Sequence, residues 1–357
     1  MSRMAAGGRD PWQAKRVAVF RALNLGDMLC VIPALRALRG RLPDAHITLV
    51  GLESAAPVLR HFPGYLDELV EFPGDPAFPE QAVRASELPA FYETMRARSF
   101  DLALQMHGSG QQSNPIVRAL APAQWLGFVP RASQAVRGRL LPWPDHLHEV
   151  HRYLALLEHA GLEAKDDTLE FPLGRRDRAQ AGRLAARMGL RLDRTVFIHA
   201  GARLASRRWP LARYAAVVRA LAGEGWQIAL TGNGGEMDIV RGLEASAGVP
   251  VVNLCGATSL GALAGLLRRG RLLICNDTGI SHVAASVGAA SVVIASGSDV
   301  ARWAPLDRQR HTVVHMPMAC RPCAHDECPI GHPCALGVSV ERVLAEARRH
   351  LRGGGRP

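Results

Sequence analysis

Lysine is almost missing from this chain of 357 residues, with Lys15 and Lys165 the only two. The net charge of +11 therefore rests on arginine, whose planar guanidinium stays charged and pairs with phosphates and carboxylates through paired hydrogen bonds. Such a balance suits an acidic partner: a phosphorylated substrate, an anionic lipid or a nucleic acid. Aromatics are equally scarce, at 5% of residues. The arginines are scattered through helix-like segments, and no zinc-finger, RNA-recognition or helix-turn-helix signature is present. Nucleic acid is therefore not expected as a partner. A solvated basic surface accounts for most of the charge, and peripheral contact with an anionic membrane comes second.

Other absences narrow the class further. The opening stretch MSRMAAGGRDPWQAKR has no apolar core of the kind a signal peptide needs. The expectation is a cytoplasmic protein, with any membrane contact at the inner face of the cytoplasmic membrane. The uncharged run from Thr278 to Ser298 has the length of a membrane span. Glycine, serine and histidine interrupt it, however, and it reads as helix, turn and buried strand. No G-x-x-x-x-G-K-[ST] motif occurs. The clusters GSG (108–110) and GNGG (232–235) do not complete G-x-G-x-x-G. HEVH at 148–151 lacks the metalloprotease spacing, and histidines on a helix surface explain it more simply.

What is present is a soluble composition, 48% hydrophobic and 21% charged, at a length that suggests two domains. Short apolar runs alternate with helical periodicity. Strands are expected at Val17–Phe20, His46–Val50, Leu69–Phe72 and Asp101–Met106, with helices at about Met28–Arg39, Ala55–His61 and His148–Ala160. The alternation restarts at Thr195–His199 and continues through Trp226–Thr231, Val251–Leu254, Arg271–Cys275 and Ser291–Ala295. Repeated β–helix–β units predict an α/β fold with parallel sheets and right-handed crossovers. The segment TLEFPLGRRDR, Thr168 to Arg178, carries proline, glycine and a charge cluster and marks the boundary. The expected layout is two Rossmann-like domains, 12–170 and 178–336, facing a central cleft, followed by a C-terminal helix at 337–352.

Three stretches carry candidate chemistry. In LNLGDMLCVIPALRALRG, Gly26 and Asp27 stand between the first strand and its helix. Asp27 would repel a phosphate, so it is either a helix cap or a general base held at a strand end. In FIHAGARLASRRWP, a glycine-containing loop with Arg203, Arg207 and Arg208 follows a strand, an arrangement suited to a diphosphate. In LLICNDTGISHVAASVG, Asp277, Thr278, Gly279 and His282 gather at a strand end and helix start. Backbone N–H groups there can receive an anion while Asp277 accepts hydroxyl protons; turn and cap chemistry would explain the same residues.

Taken together, LNLGDMLCVIPALRALRGRLPDAHITLV, HAGARLASRRWP, LTGNGGEMDI, LCGATSLGALAGLL and CNDTGISHVAASVG resemble glycosyltransferase family 9, the ADP-heptose:lipopolysaccharide heptosyltransferases, over nearly the whole chain. The resemblance implies the GT-B fold and a cytoplasmic enzyme of lipopolysaccharide biosynthesis. Such an enzyme moves a sugar from a nucleotide donor on the second domain to a glycan or lipid-linked acceptor on the first. It implies inverting chemistry with no cofactor, Asp27 serving as catalytic base. Donor binding falls to Gly201, Ser206, Arg207, Glu236, Thr258, Asp277, Thr278, Gly279, Ile280 and His282. Arg207 stands where the family usually has lysine. Acceptor recognition is expected at His107, Gly108, Ser109 and Arg131. In this fold the final helix tends to cross back onto the first domain. A nucleotide-sugar epimerase shares the fold and the diphosphate site, and a non-catalytic sugar-nucleotide-binding protein would keep the donor pocket; both are rival readings.

Four of the seven cysteines fall in CRPCAHDECPIGHPC, where Cys320, Cys323, Cys328 and Cys334 follow C-x2-C-x4-C-x5-C spacing. In a reducing compartment disulfides are not the default. Four thiolates in one loop suggest a structural zinc or iron site, against the alternative of four reduced cysteines in a surface loop.

Overall fold

The computed structural model describes residues 10–78, 81–323 and 325–353. Residues 1–9 of the opening stretch, which was expected to hold no signal peptide, lie outside that range. A strand of four to six apolar residues with no polar alternation can satisfy itself only where both faces are covered, the situation of a parallel sheet flanked by helices. The chain forms two such units, divided between Thr168 and Leu169.

The first unit holds β1 (Arg16–Phe20), β2 (His46–Gly51), β3 (Glu68–Glu71), β4 (Leu102–Gln105), β5 (Gln124–Val129) and β6 (Leu140–Pro142). All pair in parallel, in the order β3-β2-β1-β4-β5-β6. Strand order reverses between β1 and β4, and ligands of such sheets bind beyond the strand carboxyl ends at that point. Phe20, Val50, Phe72, Phe91 and Met95 are among the side chains of one core layer. β5 and β6 were not expected from the sequence.

The second unit holds β7 (Thr195–His199), β8 (Gln227–Leu230), β9 (Val252–Asn253), β10 (Leu272–Asn276), β11 (Ser291–Ala295) and β12 (His311–His315). These too are parallel, in the order β12-β11-β10-β7-β8-β9. The switch point lies between β7 and β10. The run Thr278–Ser298 resolves into helix Gly279–Ser286 and β11, and no helix among the described residues is long and apolar enough to cross a membrane.

The final helix, Val340–Arg352, packs on helix Leu211–Gly223 and on β10, β11 and β12. The cause is its apolar stripe, since Val343, Leu344, Ala347 and Leu351 belong to the core of the second unit.

Candidate functional site

The first unit builds its site around a buried arginine. The helix after β1 begins at Leu25, three residues earlier than the apolar spacing suggested, so Asp27 lies in its first turn. There a carboxylate is favoured by the exposed N–H groups of the helix start. Arg21, one residue past β1, is fully buried. Its Nε and Nη2 donate to the Asp27 carbonyl oxygen at 3.1 and 2.6 Å, and its Nη1 donates to Met106 O at 2.5 Å. Its charge is met by Glu149 at 3.5 Å, itself paired with Arg152 at 3.1 Å and accepting from the Tyr153 hydroxyl at 2.6 Å. The guanidinium also lies 4.4 Å from the Tyr153 ring centroid. Burial opposes its charge, but Tyr153, Glu149 and Asp27 hold the guanidinium pKa above its usual value. One buried cation thus ties the carboxyl ends of β1 and β4 to the first turn carrying Asp27.

His107 is part of the same frame. Its ring stacks on Phe78 at 4.2 Å and Phe20 at 5.5 Å, and Nδ1 accepts from the Ala22 N–H at 3.2 Å. Burial, then the neighbouring Arg21 charge, pushes its pKa down to about 3, so the imidazole is neutral at physiological pH. Gly108 adopts φ +60° in the turn that follows, its carbonyl and that of His107 receiving the Gln105 side-chain amide. Ser109 is half-buried, whereas Arg131 is exposed before the short turn Ala132–Gln134.

In the second unit, the end of β7 brings His199 and Gly201 against Glu236. A Cβ at Gly201 would overlap the Glu236 carboxylate, so only glycine allows this approach. Glu236 Oε2 accepts from the Asn233 N–H at 2.8 Å as half of a capping box, while Oε1 lies 3.7 Å from His199 Nε2. His199 Nδ1 meets the Thr231 hydroxyl at 3.2 Å. Burial lowers the His199 pKa and Glu236 opposes that shift. Neither His199 nor Thr231 was singled out from the sequence. Thr258 is half-buried, one residue before Ser259, whose hydroxyl caps the helix Leu260–Arg269.

Across the same switch point, β10 ends at Asn276, fully buried. Its side chain accepts from the Trp209 N–H at 2.9 Å and donates to the carbonyls of Ala200 at 2.8 Å and Gly201 at 3.2 Å. This amide joins the segment after β7 to the end of β10, one residue before Asp277. Asp277 N–H donates to Ile294 O, and Thr278 is the N-cap of the helix Gly279–Ser286. Ile280 and His282 are buried in that helix, the His282 ring 6.2 Å from Trp303. Among the described residues, the Thr278 hydroxyl and Arg207 Nε are buried with no hydrogen-bond partner. The structure thus places Gly201 against Glu236, and Asn276, the residue before Asp277, ties Gly201 to the end of β10.

In the cysteine segment, as elsewhere among the described residues, no group of three or more His, Cys, Asp or Glu side chains is placed to hold a metal ion. The four thiols are free, with Cys320 exposed and Cys334 buried. The backbone of the segment has other partners. Cys323 N–H donates to Gly297 O at 2.7 Å and Cys323 O accepts from Arg207 Nη2 at 3.0 Å. Ser206, expected to face the donor, is enclosed by this segment. Its N–H donates to Asp326 O, its hydroxyl to His325 O at 2.6 Å, and its carbonyl meets His332 Nε2 at 2.8 Å.

Known proteins share this architecture. The chain aligns at 24% identity over 337 residues with lipopolysaccharide heptosyltransferase 2 of Salmonella typhimurium, covering 90% of this chain and 94% of that protein. A shorter match, 29% identical over 105 residues, is to lipooligosaccharide heptosyltransferase 2 of Campylobacter jejuni, and it spans only 33% of that protein's length. Among solved structures, the family 9 glycosyl transferase of Veillonella parvula superposes with a TM-score of 0.76 at 22% identity, covering 94% of this chain and 97% of that one. E. coli ADP-heptose lps heptosyltransferase II superposes at 0.72 and 18% identity, covering 94% and 98%. The two-domain α/β fold is thus the GT-B fold. Residues 89–333 match the family described as "Glycosyltransferase family 9 (heptosyltransferase)", and the chain belongs to glycosyltransferase family 9.

Proposed function

We propose that the protein transfers heptose from ADP-heptose to a sugar hydroxyl of a lipopolysaccharide core, with inversion at the anomeric carbon. Asp27 takes the proton of the acceptor hydroxyl as its oxygen bonds to the anomeric carbon. The bond from that carbon to the diphosphate oxygen breaks, and its electron pair leaves with ADP. Arg207, the Thr278 hydroxyl and the first turn of Gly279–Ser286 stabilise the charge growing on the departing phosphate. Asp277 accepts from donor sugar hydroxyls, and Glu236 from the ribose. The +11 charge suits an anionic membrane face on which a lipid-linked acceptor is presented.

The observation that carries this reading is the division of chemistry between two switch points. An acid stands at the carboxyl end of β1 in one sheet, and anion-seeking groups stand at the carboxyl ends of β7 and β10 in the other. The family and the names of its relatives support heptose as the sugar and lipopolysaccharide core as the acceptor class.

A transfer assay with ADP-heptose and a panel of core acceptors tests it, with Asp27→Asn beside the wild type. The variant should lose about two to four orders of magnitude in turnover while donor affinity stays nearly constant. Donor isomerised without any acceptor would instead identify an epimerase. Donor affinity that collapses together with turnover would remove Asp27 from the role of base.

A further inference from the structure

Unpartnered polar atoms are not spread evenly through the interior. Seven buried side-chain nitrogen or oxygen atoms among the described residues lack a hydrogen-bond partner, and four of them are Arg207 Nε, Thr278 Oγ1, Ser296 Oγ and Ser298 Oγ. These four share one neighbourhood. β10 and β11 pair with Asn276 opposite Ile294, so Thr278 and Ser296 each follow by two residues from that pair. Ser296 and Ser298 are buried to 1% and 0% exposure. Between them, a Cβ at Gly297 would stand 3.8 Å from Arg207 Cδ. Leaving a buried hydroxyl unpaired is unfavourable, and a cluster of them at a strand end suits a place that a polar ligand completes.

A second guanidinium reaches the same place. Arg321 donates from Nε and Nη2 to the Ser298 carbonyl at 3.1 and 2.6 Å, and from Nη1 to Met316 O at 2.7 Å. Three of its N–H groups are thereby used, out of five that arginine carries. Burial first, and the like charge of Arg207 among its neighbours, lower the Arg321 pKa, while Cys334, Asp277 and Asp299 oppose this. Two half-buried cations held near each other make a site that an anion would relieve.

We propose that Arg321, with the hydroxyls of Ser296 and Ser298, forms a second wall of the diphosphate site, opposite Arg207 and Thr278. The inference rests on the donor reading above and deepens it. It also gives the cysteine segment a role without a metal. That segment carries Arg321 to the Ser298 carbonyl and, through Cys323 O, aims Arg207.

Calorimetric titration with ADP, inorganic pyrophosphate and adenosine separates the cases. Wild type should bind ADP and pyrophosphate. Arg321→Gln should weaken both by about ten- to a hundredfold while adenosine binding is unchanged. The Ser296→Ala/Ser298→Ala variant, which disturbs no backbone contact of Arg321, should weaken pyrophosphate about tenfold. This second variant decides the matter if Arg321→Gln does not fold. Equal loss of adenosine and ADP would mark Arg321 as structural only and overturn the proposal. So would wild-type pyrophosphate affinity in both variants. Wild type that binds neither ADP nor pyrophosphate would overturn the donor reading itself, and this inference with it.

Discussion

The guanidinium of Arg21 and the backbone carbonyl of Asp27 are joined by two hydrogen bonds, of 3.1 and 2.6 Å. Nothing in the Asp27 side chain is needed to make them, so the arginine positions the residue whatever that side chain does. Arg21→Met would leave Glu149 buried with one cation fewer and should cost about 3 kcal/mol or more in stability. Adding Glu149→Gln removes the stranded charge and should restore much of that stability, read as melting temperature. Turnover should stay depressed in the double variant, with donor KM unchanged, because the first turn carrying Asp27 is no longer clamped. Wild-type turnover in the double variant would show that the clamp serves the fold alone.

Gly201 gives a sharper test of the donor side. Gly201→Ala puts a methyl group into the Glu236 carboxylate, which must move and release the Asn233 N–H it caps at 2.8 Å. Donor affinity should fall by roughly tenfold or more, equivalent to about 1.4 kcal/mol, with turnover at saturating donor much less affected. Calorimetry with ADP reads this directly. Undiminished affinity would place Glu236 outside the nucleotide site.

Two of the strands most legible in the sequence are central and largely or wholly buried. TVFIH and SVVIA are continuous apolar runs, and the structure forms β7 and β11 on them. β12 was missed because HTVVH is an edge strand with histidine at each end and partial exposure between. β6 was missed because three residues ending in proline carry no period. The site shows the same division. Asp27, Arg207 and Asp277 sit in local motifs. Arg21 meets Glu149 across 128 residues, and Asn276 meets Trp209 across 67; no local pattern encodes such pairings. Cysteine spacing is limited in a related way, since spacing does not say where the sulfur atoms point.

Two buried histidines set a pH dependence. Burial lowers His107 to about 3, with Arg21 assisting, and lowers His311, bonded to the Ser291 hydroxyl at 2.8 Å, to about 4. An exposed imidazole titrates near 6.5, so between that pH and the folded values the unfolded chain binds more protons. Their contribution to stability is whole above about 6.5 and is lost as pH falls through 4. Melting temperature should therefore drop steadily from pH 7 to pH 4.5. His311→Asn should flatten part of that slope while lowering the plateau. An unchanged slope in the variant would assign the acid sensitivity to other groups.

Asn276 offers a substitution that changes chemistry without changing shape. In Asn276→Asp the oxygen that accepts from the Trp209 N–H at 2.9 Å is retained. The amide nitrogen, which donates to Ala200 O at 2.8 Å and Gly201 O at 3.2 Å, becomes an oxygen facing two oxygens. At neutral pH the result is a fully buried carboxylate beside Asp277, with two carbonyls unpaired, and the loss should be about 3 kcal/mol or more. Protonation would return one O–H donor to that position, so the variant's carboxyl would titrate above the ordinary range in the folded state. The folded variant then binds the extra proton, and its deficit relative to wild type should shrink as pH falls from 7 toward 5. ADP affinity should fall in parallel, because Gly201 and the loop reaching Arg207 lose their tie to the end of β10, one residue before Asp277. Denaturant melts of both proteins across that range read the first effect, and calorimetry the second. A deficit that is constant with pH would mean the Asn276 amide does not hold these carbonyls.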